Sequence, residues 1–333
     1  MTNKFKRVLV TGGAGYVGSC LVPKLLDNGY DVVVLDLYIY NKKVFEPYKN
    51  NRALTEICGD IRDLDTVKKA MQGCDAVIHL ACISNDPSFD LNPALGRAIN
   101  LDAFRPLLKI AKEFKVRRFV YASSSSVYGV KHVPNVTEDL SLEPLTDYSK
   151  YKAECELILA EEAESGFETV VIRPATVCGY SERLRLDLSV NILTTHAYFN
   201  RKIKVFGGEQ LRPNIHIKDM ANAYLVVLAA EQSQIDGKTY NVGYQNFSIN
   251  HIADMIKTSF SEPIDLEVLP SSDNRSYHIS SDKIKNDLGF EPQYSLQDAI
   301  SELIAAFEQN KVMEPLSNDQ YYNIKKMQAL EMS

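Results

Sequence analysis

The sequence holds no stretch of about 18 uninterrupted apolar residues, so no helix is expected to cross a membrane. The first apolar run, in MTNKFKRVLVTGG, is too short and too soon ended by glycine to read as a secretory signal. Cysteine is sparse: Cys20, Cys58, Cys74, Cys82, Cys155 and Cys178 include no CxxC pair. That argues against a zinc knuckle or a disulfide framework and fits reduced thiols in a reducing, cytoplasmic setting. No HExxH, no GxxxxGKS/T and no His/Cys cluster occurs, so metal-dependent hydrolysis and P-loop chemistry have no support and no metal is expected. Positive charge is in the minority, 37 Lys and Arg against 43 Asp and Glu for a net −6, which gives no general pull on nucleic acid or anionic membranes. The pairs Arg117-Arg118 and Lys42-Lys43 read as solvated loop ends. Sixteen Gly and thirteen Pro are too few for collagen-like or Gly/Pro-rich disordered chains. There is no internal repeat and no low-complexity tract. What remains is an ordinary globular chain of 333 residues, 45% apolar and 24% charged, with room for two domains or one large one.

What is present is a strand–helix alternation. Arg7–Thr11 reads as a strand stopped by Gly12-Gly13, and Tyr16–Asn28 as a helix ended by Gly29. Asp31–Leu37 (DVVVLDL) is nearly all apolar, the signature of a strand covered on both faces. The pattern continues with a helix at Val67–Met71, a strand at Asp75–Ala81, a helix at Ile99–Phe114 and a strand at Arg118–Ala122. A helix at Asp147–Ser165 and a strand at Thr169–Arg173 follow. Such alternation predicts an α/β fold, a doubly wound parallel sheet of Rossmann type. Past residue 180 the spacing predicts helices at Leu188–Phe199, Met220–Ala230, Ile249–Phe260 and Leu296–Gln309, and a strand at Lys238–Val242. We therefore expect a dinucleotide-binding domain over 1–180, with about 212–245 returning to it. A smaller C-terminal α/β substrate-binding region would take 181–211 and 246–312. The polar stretch 313–333 reads as a tail, helical or frayed. Ligands of doubly wound sheets bind beyond the carboxyl ends of the strands, which is where the chemistry is to be sought.

Two constellations fall there. Gly12, Gly15 and Gly18, spaced GxxGxxG, lie between the first strand and the first helix. A phosphate held on backbone N–H groups at a helix start needs a turn free of Cβ atoms. Asp36, 18 residues past Gly18 at the end of the second strand, would accept both ribose hydroxyls and repel a 2′-phosphate, favouring NAD over NADP. Asp60, in Gly59-Asp60-Ile61, ends the next strand and is placed to accept from the adenine amino group. The second constellation is Tyr148 and Lys152, which share one face at the start of a helix. An ammonium beside a phenol stabilises the phenolate, a suitable base for an alcohol proton. The run Ser123–Ser126 puts hydroxyls at the carboxyl edge of the preceding strand. His79 and His216 read as structural, and Asp60, Asp63 and Asp65 as a solvated patch.

Together these residues resemble the extended short-chain dehydrogenase/reductase family, in its NAD-dependent nucleotide-sugar epimerase/dehydratase branch. The carriers are TGGAGYVGS (11–19), GDIRD (59–63), HLA (79–81), SSSSVYG (123–129), Tyr148–Lys152 and RPNIHIKD (212–219). The resemblance implies Tyr148 as catalytic base, Lys152 on the nicotinamide ribose and Ser124 on the substrate oxygen. It implies cofactor contacts from Gly12, Gly15, Tyr16, Val17, Gly18, Asp36, Asp60, Ile61, Leu80, Ala81, Asn100, Ala122 and Pro174, besides Tyr148 and Lys152. For the substrate it implies Ser84, Ser125, Thr176, Asn191 and Arg212, with Arg275 as a second cation on the diphosphate. The partner implied is a nucleotide-linked sugar, as in polysaccharide biosynthesis, and the assembly a homodimer built on the helices Leu101–Phe114 and Tyr151–Ala163. Three departures matter. The dehydratases' Asp and Glu after the hydroxyl residue are here Ser125 and Ser126, which argues against dehydration. Thr176 replaces the usual Asn, and Cys82 the second Ala of LAA. The expectation is an NAD-dependent epimerase that oxidises and re-reduces sugar C4. The alternatives are a C4 dehydrogenase or 4-ketoreductase with net hydride transfer and, further off, a non-catalytic NAD sensor.

Overall fold

The computed structural model describes residues 4–84, 86–131, 133–270 and 278–330. Arg275 lies outside them. Seven strands form the main sheet: β1 (Arg7–Thr11), β2 (Asp31–Asp36), β3 (Leu54–Cys58), β4 (Ala76–His79), β5 (Arg118–Ala122), β6 (Glu168–Pro174) and, after three strands that lie elsewhere, β10 (Lys238–Val242). Their order is β10-β6-β5-β4-β1-β2-β3, and every pairing is parallel. Parallel strands need crossover connections, and helices on both faces supply them. Period-two alternation splits the core: Val8 and Val10 face a layer with Leu21, Leu25 and Tyr224, while Leu9 faces one with Phe104, Leu108 and Phe119.

The order reverses between β1 and β4, and the crevice of a doubly wound sheet opens at such a switch point. The helix Gly18–Asp27 closes on Gly29 (φ 79°), with Gly29 N donating to the Leu26 carbonyl and Tyr30 N to the Leu25 carbonyl. The expected helix over Ile99–Phe114 is two pieces: a π turn at Ala98–Asp102 and an α-helix at Phe104–Glu113. The turn lets the Asn100 side chain bracket Ile83, accepting from its N–H at 2.8 Å and donating to its carbonyl at 2.9 Å. Wider turns of this kind are found at functional sites.

Beyond residue 175 the chain builds the small sheets β11-β9-β7, from Gln245–Ser248, Leu211–His216 and Thr176–Cys178, and β12-β8, from Asp265–Leu269 and Lys202–Phe206. The helices Ser189–Asn200, Ile249–Thr258 and Leu296–Glu308 pack a third core around Leu193, Ile203, Ile252 and Ile300. The stretch after 313 folds back: a 3-10 turn at Asp319–Tyr321 leads into a helix, Asn323–Ala329, whose Met327 is buried in the main core. Among the described residues no helix is long and apolar enough to cross a membrane.

Candidate active site

One cavity of about 630 Å³ runs along the carboxyl edge of the sheet, from Asp60 past the glycine turn to Tyr148 and Lys152. The three glycines serve it differently. Gly12 (φ 69°) turns the chain out of β1, and a Cβ there would stand 2.6 Å from the Ala81 backbone nitrogen. At Gly18 a Cβ would overlap the Gly13 carbonyl, so glycine lets the helix start pack against the turn. Among the described residues a Cβ on Gly15 would meet the Gly12 carbonyl, at 3.0 Å, leaving its other side to the cavity. This is a cradle for phosphate at a helix N-terminus.

Asp36 closes one end of the cradle. Its carboxylate accepts from Ala14 N at 3.0 Å and Tyr38 N at 2.7 Å. Burial pushes its pKa up, while the two amides and the nearby Arg183 charge oppose that. The Asp60 carboxylate also lines the cavity but is gripped by Arg62, whose Nη2 donates at 2.6 Å, and this holds it below the usual carboxylate range. Asp63 caps the helix Leu64–Met71.

At the other end Lys152 is 4% exposed and donates from Nζ to the Ala122 carbonyl at 2.6 Å, with Nζ 5.9 Å from the Tyr148 ring centroid. The Ser124 hydroxyl lies 2.8 Å from Ser126 Oγ and is close enough to the Tyr148 phenol to favour its ionised form. Burial drives the Tyr148 pKa upward, with the Cys82 and Asp86 charges adding to it and Arg185 and Ser124 opposing. The net direction is thus opposite to the lowering expected from Lys152, whose ammonium donates to the Ala122 carbonyl. His79 is a satisfied core residue, 2.7 Å from Thr11 Oγ1, and His216 caps the helix Ile217–Ala229.

Most of the anticipated residues converge on this cavity. Gly12, Gly15, Tyr16, Val17, Gly18, Asp36, Asp60, Ile61, Leu80, Ala81, Ala122, Ser124, Tyr148, Lys152 and Pro174 line it, as do Ser84, Ser125, Thr176 and Arg212. Two do not. Asn100 is spent on Ile83 behind the wall. Asn191 is fully buried: Gly179 N donates to its Oδ1 at 3.0 Å, and its Nδ2 reaches the Tyr16 hydroxyl and the Arg185 carbonyl. Neither lines the cavity: the amide of Asn100 is engaged by Ile83, and that of Asn191 by backbone and Tyr16. Residues not anticipated individually also line it: Tyr40, Asp86, Arg183, Arg185, Asp187, Asn323 and Met327. The basic Arg-x-Arg of 183–185 was the available signal. Among the described residues no three His, Cys, Asp or Glu side chains group as a metal site, and no cysteine is paired.

A phosphate cradle at the switch point, a carboxylate on the ribose side and a Ser/Tyr/Lys set beyond it define a dinucleotide-dependent enzyme of the doubly wound class. The chain belongs to the NAD dependent epimerase/dehydratase family, whose profile matches residues 8–243. It is 29% identical to a dTDP-glucose 4,6-dehydratase of Streptomyces niveus (94% of this chain, 96% of that one) and 28% identical to a UDP-glucose 4-epimerase of Lactobacillus helveticus (88% and 94%). Among solved structures it resembles the UDP-glucuronic acid 4-epimerase of Bacillus cereus in complex with UDP-glucuronic acid and NAD. That likeness has a TM-score of 0.83 at 27% identity and covers 91% of this chain and 99% of that one.

Proposed function

We propose that this protein is an NAD-dependent nucleotide-sugar epimerase working by oxidation and re-reduction at sugar C4. The observation that carries the reading is the hydroxyl environment of Tyr148: Ser124, Ser125 and Ser126 line the same cavity, with serines at the two positions where a dehydratase would need Asp and Glu. NAD, when bound, supplies a hydride acceptor that can also return the hydride. Tyr148 takes the C4 hydroxyl proton, Ser124 orients that oxygen, and Lys152 holds the ribose side of the site. Elimination across C5 and C6 needs an acid and a base, and no carboxylate stands at 125 or 126 to provide them. Asp86, also in the cavity, accepts a hydrogen bond from Thr146 Oγ1 at 2.5 Å. Thr176 and Arg212 line the cavity toward the smaller region, which supports their assignment to the nucleotide diphosphate.

A homodimer belongs to the same reading, with Leu157 as its support: it is 65% exposed on the helix Asp147–Glu161. Phe104, Leu107 and Leu108 are buried on the sheet and contribute nothing to such a face. The functional test is a panel of UDP-, GDP-, dTDP- and CDP-sugars, followed for sugar conversion and NADH absorbance together. Conversion without net NADH supports the epimerase; NADH in step with product makes the enzyme a dehydrogenase.

A further inference from the structure

We propose that Arg183, held by Asn323, is a clasp over the glycine turn that binds the diphosphate of the bound dinucleotide and keeps the cofactor on the chain between turnovers. It deepens the epimerase reading, which requires a cofactor that stays in place. Arg183 N donates to Ser19 Oγ at 3.4 Å, and Ser19 Oγ donates to the Tyr16 carbonyl at 2.9 Å. The residue is therefore anchored to the first turn of the helix that follows the glycines. Its charge is felt at Asp36, and it stands in the wall of the cavity that Gly12, Gly15 and Asp36 also line.

The guanidinium has no carboxylate in direct contact among the described residues. Arg183 is 3% exposed, its guanidinium stacks 3.8 Å from the Tyr40 ring centroid, and its Nη2 donates to Asn323 Oδ1 at 2.5 Å. Its Nε finds no acceptor, and among the described residues no carboxylate forms an ion pair with it, whereas neighbouring Arg185 has Asp187 at 2.6 Å. Burial lowers its pKa to about 10, which leaves it cationic at neutral pH. Asp187 and Asp36 act on it only through space; a buried guanidinium with no carboxylate in contact is costly, and a diphosphate is the natural partner of its fork.

Asn323 turns the arginine into a clasp. Its backbone N–H donates to Asp187 Oδ2 at 3.0 Å, and its Nδ2 donates to Ser84 Oγ at 3.0 Å, which also accepts from Arg185 Nη1 at 3.0 Å. Leu186 N donates to the Tyr321 carbonyl at 2.8 Å. The C-terminal segment is thereby tied to the 183–187 loop and to the loop after β4, across the mouth of the cavity.

The test follows cofactor release from the full-length protein with no sugar present, so a failed clasp and a failed epimerase reading give separate results. NAD content is assayed after desalting and denaturation, and the release rate on dilution, for the parent chain, R183Q and N323A. The clasp predicts release faster by about tenfold or more in both variants, with unchanged circular dichroism. N323A keeps Arg183 and removes the side-chain bonds of residue 323 to Arg183 and Ser84, and so still decides the matter where R183Q does not fold. Folded variants that release NAD at the parent rate would overturn the proposal, as would a parent chain that loses its NAD on desalting.

Discussion

Tyr148 is the residue on which the chemistry turns, and its surroundings explain both its use and its reluctance. Burial keeps the phenol protonated, and the Cys82 and Asp86 charges reinforce that; Ser124 and Arg185 push the other way. A base that must first lose its proton gives turnover that climbs as pH rises from neutral into the alkaline range. Removing the hydroxyl while keeping the ring, in Tyr148→Phe, is expected to cut turnover by about 10²–10⁴-fold and to leave the protein loaded with NAD. Steady-state kinetics and cofactor content of the purified variant check both halves.

At the scale of the element, β4 carries a second titrating group that has nothing to do with turnover. His79 points into a box of Phe104, Phe119 and Tyr121 and pairs with Thr11 Oγ1. Burial, aided by the Lys152 charge, pulls its pKa from 6.5 to about 3. The unfolded chain binds a proton there near 6.5 and the folded chain does not, so the stability contribution is complete above that pH. It is lost as pH falls from 6.5 toward 3, by on the order of a few kcal/mol. Urea midpoints measured at several pH values in that window should fall with pH, and less steeply in His79→Gln. An equal slope in both would assign the acid sensitivity elsewhere. Elements like β4 were legible because a parallel sheet writes itself as apolar runs: β1, β5 and β10 have the expected limits. The π turn at Ala98–Asp102 was not, since its cause is the contact of Asn100 with Ile83 and not a local preference. The strands β7, β8 and β12 are short, three residues in β7 and five each in β8 (KIKVF) and β12 (DLEVL), so even the polar–apolar alternation of the latter two spans too few residues to stand out.

At the scale of the molecule, the glycine turn, Asp36 and the Ser/Tyr/Lys set could be read from the chain because each is compact in sequence. The opposite wall could not. Arg183 and Asn323 stand 140 residues apart, and only folding brings the C-terminal helix back over the cavity. The place of Asn191 was not legible for a related reason: its amide bonds Gly179 and Arg185, which only the fold brings to it. The resulting cleft is lined by the sheet edge on one side and by Arg183, Asp187 and Asn323 on the other, which suits the proposed oxidation and re-reduction of one sugar on a retained cofactor. The most direct test of that claim is to give the protein a nucleotide sugar it converts, deuterated at C4, and locate the deuterium after conversion. The epimerase account predicts that it stays at C4 of the epimerised product; deuterium in released NADH, or a 4-keto product without it, would contradict the account.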